Sequence, residues 1–276
     1  MSLGIPRTYA GGQWQSNINA TPSATPGVAV DAHASGNTKG AWVDLFSGAT
    51  TTYDSYGFWL FPNDYSTAAT ITSTLLDIAL GESSETIIVS NYQIGSRGTT
   101  AAGGLTGLWF PIFIPKGSKV TARCQSVVPG NTGFILIALE SGSGGNAGQL
   151  FSGCEDIGTN TADSGGTAVT AGASGAETAS PVNIGSTTGK NYGAIMLGIC
   201  GNNTVMNAKT FHWELTVGGF TLAEWLVQFA ANENMFGMFP PAPIRVSIPS
   251  GTQLVARGEC STTSPESQDI SFYGFY

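Results

Sequence analysis

The chain carries two histidines, His33 and His212. Acid–base and nucleophilic catalysis need a base within hydrogen-bond reach of its partner and of a third orienting group. The two imidazoles fall in different halves of the chain, so a triad or a His-based metal site would have to draw on both halves at once. Cys124, Cys154, Cys200 and Cys260 are scattered singly, with no CxxC and no paired Cys/His spacing, which argues against zinc. Glycoside hydrolysis needs two carboxylates flanking one bond. Glu155-Asp156 lie in a glycine- and serine-rich stretch, and Asp77 and Glu214 hold corresponding places in the two halves, which suits solvated strand faces. Residues 142–147 satisfy GxGxxA, but no helical pattern follows them. No GxSxG or Walker A motif occurs. These observations predict a protein that is not an enzyme, with no catalytic residues, no cofactor and no metal.

Arginine carries the sharpest polar signal. Five arginines occur, and two of them, Arg123 and Arg257, follow the same turn. Residues 110–125 read FPIFIPKGSKVTARCQ, and residues 244–257 read IRVSIPSGTQLVAR. Pro115, Gly117 and Arg123 thus fall on Pro249, Gly251 and Arg257. A proline and a glycine framing a turn between apolar-alternating runs mark a hairpin or corner. Two roles are open for the arginines: pairing with a carboxylate such as Asp77 or Glu214 of the same repeat, or an inter-subunit contact.

The match extends outward. Residues 29–36 are echoed by 168–175, Val43-Asp44-Leu45 by Val182-Asn183-Ile184, Thr51-Thr52 by Thr187-Thr188, and Tyr56-Gly57 by Tyr192-Gly193. Leu76-Asp77-Ile78 meets Trp213-Glu214-Leu215. The blocks stay in order while their offset drifts by a few residues, as loop insertions between retained strands would cause. The chain reads as a tandem duplication.

With 276 residues there is length for two domains, each with a core. Charged residues make up only 10%, against about a quarter in ordinary domains. Thirty-eight glycines, 13 prolines and many hydroxyl residues suit sheets with many turns. The net charge of −8 and the absence of a basic cluster speak against direct nucleic-acid binding. No apolar signal segment and no run of transmembrane length is visible, so neither secretion nor membrane contact is expected.

The fold expected is all-β: two tandem homologous β-sandwich or jelly-roll domains behind an extended arm. Residues 1–26 show no periodicity and are predicted to be ordered by another chain rather than by their own domains. Residues 27–140 form the first repeat, 141–165 a glycine- and serine-rich linker, and 166–276 the second repeat. Residues 213–229 pass for a helix on length alone, but Gly218-Gly219 in mid-run and the split of the counterpart at Gly81 predict two strands and a turn. Residues 270–276 are predicted to end in a paired strand. By strand parity Cys124 and Cys260 face inward as small buried residues, a disulfide being the other reading. Trp42, Trp59, Trp109, Trp213 and Trp225 read mostly as core, whereas Trp14 reads as exposed in the isolated chain.

The motifs NTKGAWVDL, SYGFWLF, LLDIALG and FPIFIPKGSKVTARCQ, spanning about residues 36–126 with a fainter copy at 175–260, resemble those of virion structural proteins of tailed bacteriophages. The second copy departs in reading ASPVNI where the first reads GAWVDL. The resemblance implies β-sandwich modules placed on the particle, made in the host cytoplasm, with other capsid or tail subunits and further copies of itself as partners. It supplies no catalytic residues. Within it, a decoration or accessory subunit of the head or tail exterior is expected, the alternatives being a receptor-binding module that grips host glycan and a double-sandwich major capsid subunit.

Overall fold

Short apolar runs alternate with Gly, Pro, Asn and Ser along the whole chain, and each becomes a strand. The computed structural model describes residues 14–17, 27–64, 73–95, 107–141, 150–178, 180–201, 209–229, 236–239 and 242–276. The strands of the first half are β1 (Trp14–Ser16), β2 (Val28–Asp31), β3 (Val43–Asp44), β4 (Phe58–Asp64), β5 (Ser73–Leu80), β6 (Thr86–Gly95), β7 (Leu108–Phe110), β8 (Val120–Ser126) and β9 (Thr132–Glu140). The second half has β10 (Cys154–Ile157), β11 (Thr167–Ala171), β12 (Val182–Ile184), β13 (Tyr192–Gly201), β14 (Thr210–Val217), β15 (Phe220–Phe229), β16 (Phe236–Phe239), β17 (Ile244–Ile248), β18 (Leu254–Cys260) and β19 (Glu266–Phe275).

The two halves share one strand order. The first has β1-β9-β4-β7, with β2 also on β9, and β6-β5-β8-β3. The second has β10-β19-β13-β17, with β11 also on β19, and β15-β14-β18-β12, with β16 beyond β15. Counted from β2, the eight strands of the first copy lie 1-8-3-6 in one sheet and 2-7-4-5 in the other. Counted from β11 and passing over β16, the second copy does the same. This is the jelly-roll order, two Greek keys wrapped into a sandwich.

The two sandwiches are fused. β10 pairs antiparallel with β19 and meets β6 in parallel at Cys154 and Val89, so one nine-stranded sheet runs through both copies. Neighbouring residues on a strand point to opposite faces. Tyr273 and Phe275 of β19 stack against Tyr92 and Phe110 of the first copy, whereas Phe272 stacks against Trp225 of the second. The outer sheet of each copy therefore covers the opposite face of the shared sheet. One apolar cluster of buried residues continues from Val30 to Phe275.

The stretch expected to be a linker contains one strand of this sheet, β10, with Phe151 bridged to Ile112 just before it. Phe151, Cys154 and Ile157 are buried at 6%, 2% and 7% exposure. The Phe151 N–H donates to Pro111 O at 3.0 Å, and its carbonyl accepts from Phe113 N at 3.1 Å. The surrounding glycines and serines mask these three apolar residues in any composition window. The arm is corrected too. β1 pairs with β9 of its own chain, Trp14 opposite Glu140 and Ser16 opposite Ala138. The free side of β9 is shared by β1 and β2, and the Asn17 side-chain amide bridges the step between them. It donates to Ile135 O and accepts from Ile137 N, both at 2.9 Å. Residues 1–13 and 18–26 lie outside the described residues, as does the GxGxxA stretch.

Residues 213–229 form the expected hairpin within β14 and β15. Its two-residue turn needs positive φ twice, and Gly218 and Gly219 supply +57° and +86°. The last strand is paired along its length. Cys124 and Cys260 are buried and form no disulfide, and the same holds for Cys154. With one core and a shared sheet, the two copies are predicted to unfold together. Calorimetry should give a single transition whose van't Hoff and calorimetric enthalpies agree; two resolved transitions would contradict the shared core.

Candidate functional site

The six duplicated positions divide into a turn and an ion pair. Gly117 and Gly251 both adopt φ of +83°. Thr51 Oγ1 donates to Pro115 O, and Thr188 Oγ1 to Pro249 O, each at 2.8 Å. Gly117 N donates to Thr51 O at 2.8 Å, and Gly251 N to Thr188 O at 2.7 Å. The turn is thus held by one threonine in each copy, and Thr51 corresponds to Thr188, not Thr187. The slip of one residue matters, because it moves side chains to the other face. Tyr192, matched to Tyr56 by sequence, is buried, whereas Tyr56 is 37% exposed.

Arg123 lies on β8 opposite Asp77 of β5, and its Nε donates to Asp77 Oδ2 at 2.8 Å. Lys39 Nζ donates to Oδ1 of the same carboxylate at 2.9 Å, and Asn91 N donates to it at 2.8 Å. Asp77 is only 2% exposed, so the two cations and the amide replace its lost hydration. Burial lowers the Lys39 pKa, and Asp77 opposes that shift. The Arg123 guanidinium also lies 4.4 Å from the centre of the Trp42 ring. Trp42 therefore serves as a half-buried platform and not as core.

In the second copy Arg257 Nε donates to Glu214 Oε2 at 2.8 Å, and Thr221 Oγ1 donates to the same oxygen at 2.9 Å. Arg257 also pairs with Glu177 at 3.0 Å. Glu214 faces Glu224 directly across the β14–β15 ladder, an unfavourable like-charge position. His212 Nε2 lies 3.4 Å from Glu224 Oε2. Ligand atoms of His212, Glu214 and Glu224 all fall within 4.8 Å of one another. Leu226, directly across the ladder from His212, is 60% exposed, and further along β15 Leu222 is 38% and Phe220, at the turn, 77% exposed.

At the offset that sets Leu76 on Trp213, His212 falls on Leu75, an apolar residue with no metal-binding or acid–base chemistry. The predicted hairpin did not contain this set: a two-residue turn at Gly218-Gly219 alone would put residue 223 opposite 214. A one-residue bulge on β15, where the register shifts between Leu215 and Thr216, brings Glu224 opposite Glu214 and onto the face of His212. The other histidine is far from this set; His33 Nδ1 accepts from Ser35 N at 3.0 Å.

A third place is the seam between the copies. Tyr273 Oη accepts from Gln93 N at 2.7 Å and donates to Asn91 O at 3.0 Å. Gln125 Nε2 of β8 donates to Thr161 O at 2.8 Å and Ser164 Oγ at 3.0 Å, tying the loop after β10 to the first copy. Beside this loop opens a cleft of about 570 Å³ whose lining includes Ser73, Asn160, Asp163, Thr167 and Asp269. On the far outer sheet Trp59 and Trp109 are paired across strands with ring centres 5.4 Å apart. Trp14, expected to be exposed, is half-buried on β1.

Removing the Asp77 carboxylate strands two cations, so Asp77→Asn is predicted to destabilise by about 3–5 kcal/mol in urea unfolding. Glu214→Gln should cost about 1 kcal/mol, because Arg257 remains partly solvated. Burial alone would raise the Glu214 pKa, but hydrogen bonds from Arg257 and Thr221 outweigh it and leave the carboxyl below its ordinary value of 4.5. A lowered folded pKa means that the folded state binds fewer protons. The Glu214 contribution is therefore full above its ordinary value and is lost as pH falls through the folded one. Acid titration of stability should show this loss in the wild type and not in Glu214→Gln.

Glu140 behaves oppositely: it is 5% exposed, and burial raises its pKa. Its charged form opposes folding at neutral pH, so Glu140→Gln should raise the melting temperature at pH 7. The gain should vanish once the pH is low enough to protonate the wild-type carboxyl.

No family model matches the chain, and no curated protein matches its sequence. Among solved structures, the N-terminal CBM22-1-CBM22-2 tandem domain from Paenibacillus barcinonensis Xyn10C aligns over 96% of this chain and 91% of its own. The identity is 10% and the TM-score 0.25. A likeness of that size bears on neither the details of the fold nor the function.

Proposed function

We propose that the chain is a structural protein of a tailed-bacteriophage particle, a decoration or accessory subunit of the head or tail exterior that acts by binding. The observation that carries the binding role is that β15 leaves three large apolar side chains in water, Phe220, Leu222 and Leu226. Large apolar residues left exposed along one strand favour an interaction surface. The placement on a phage particle rests on the motif resemblance at residues 36–126. The histidines fit a non-catalytic role: among the described residues neither hydrogen-bonds a Ser, Thr or Cys side chain. Partners would be capsid or tail subunits and further copies of the chain, without nucleic acid or membrane.

The way it would bind differs from two sandwiches on a flexible tether. With β10 inside a continuous sheet, the copies present their faces at a set spacing. Affinity then comes from preorganisation, since little freedom is lost on docking. A second reading, a double-sandwich major capsid subunit, is favoured by the jelly-roll order occurring twice in one chain. The third, a glycan-binding tail module, has the half-buried Trp59 beside Trp109 in its favour.

Quantitative mass spectrometry of purified virions separates these. Many copies on a shell that survives their removal support decoration. A shell that fails without the chain supports the capsid reading, and a few copies at the tail tip support glycan binding. Absence from virions overturns the assignment. Leu226→Asp should lower particle occupancy about tenfold, equivalent to about 1.4 kcal/mol, without altering the circular dichroism of the free protein.

A further inference from the structure

We infer that the outer face of β14 and β15 is a binding site for a divalent transition-metal ion of the zinc class, ligated by His212, Glu214 and Glu224. The first support is geometric. His212 Nε2 and Glu224 Oε2 are 3.4 Å apart, and one ligand atom from each of His212, Glu214 and Glu224 lies within 4.8 Å of the other two. Tetrahedral zinc with bonds of about 2.0–2.1 Å places neighbouring ligand atoms about 3.3–3.4 Å apart. An imidazole with two carboxylates selects this class over calcium or magnesium, which prefer oxygen alone.

The second support is orientation. The hydrogen bonds from Arg257 Nε and Thr221 Oγ1 to Glu214 both end on Oε2, as does the closest Arg257 ion-pair contact at 2.7 Å. They fix the carboxylate, and none of the three falls on Oε1. Outer partners that hold a ligating carboxylate in this way are a usual part of metal sites.

The third support is an internal comparison that points to a missing cation. Gly40 N donates to Cys124 O at 2.8 Å in the first copy, and Thr178 N donates to Gly258 O at 2.9 Å in the second. Since Arg123 corresponds to Arg257, Cys124 corresponds to Gly258, Gly40 to Thr178, and Lys39 to Glu177. Where the first copy sets an ammonium 2.9 Å from its buried carboxylate, the second sets another carboxylate, and Glu224 adds a third. Arg257 faces three acids, with the His212 imidazole as the other nitrogen group beside them. An ion held by His212, Glu214 and Glu224 would restore the balance that Lys39 and Arg123 give Asp77. Three protein ligands leave one position for water or for a donor from a partner docked over Leu226.

The test is independent of the particle assignment. The full chain, freed of metal with a chelator, is titrated with Zn²⁺ by calorimetry and with Co²⁺ by absorption spectroscopy. The expected result is one ion per chain, with cobalt bands of nitrogen and oxygen ligation and no thiolate charge-transfer band. His212→Ala and Glu224→Gln should each weaken binding at least about tenfold, and His33→Ala should not. Glu224 is exposed, so its variant keeps the test valid should His212→Ala fold poorly. No binding by the wild type, equal binding by the His212 and Glu224 variants, or a thiolate band would each overturn the site.

Discussion

The structure depends on how the edge of β6 is closed. A sandwich sheet that ends on an open strand leaves a row of unpaired N–H and C=O groups, and proteins cover such edges. Here the cover is β10, which belongs to the next copy and carries β19 on its other side. That one insertion turns two jelly rolls into a single sheet, and it decides which face of β19 sees which core. Tyr273 and Phe275 enter the first copy, while Phe272, the residue before Tyr273 and therefore on the opposite face, enters the second.

Strand content, the hairpin at Gly218-Gly219 and the duplicated turn were legible, because each rests on a local pattern. Alternation shows a strand, paired glycines show a tight turn, and Pro-x-Gly shows a corner. The fusion was not legible. Only Phe151, Cys154 and Ile157 announce β10, and their spacing is neither strictly alternating nor helical. The arm failed for a related reason: β1 is three residues long and is held by β9 and by the amide of Asn17, not by any periodicity of its own. Equivalences between repeats came within one residue at Thr51, an error too small to see in sequence and large enough to exchange the faces of Tyr56 and Tyr192.

Comparing the copies with each other is more informative than reading either alone. Both place an arginine against a buried carboxylate on the neighbouring strand, and so far the two are alike. They part at position 39 and its counterpart 177, lysine in one and glutamate in the other. In the first copy the face is closed over by Lys39, Trp42 and the loop tied down by Gln125. In the second the same face stays open, acidic and flanked by Leu226. The pairing of Asp77 and Glu214 was foreseeable from the alignment. The divergence around them needed the backbone bonds of Gly40 and Thr178, which fix the correspondence.

β16 lies on β15 in the place where β10 lies on β6. Edge pairing of this kind sets no intrinsic length, since each added unit offers the next the edge that it used itself. A short strand laid on that edge occupies the hydrogen-bonding row that another sandwich would need, as a cap occupies the growing end of a polymer. The four residues Phe236–Phe239 thus make β15 a stopped end where β6 is a joined one.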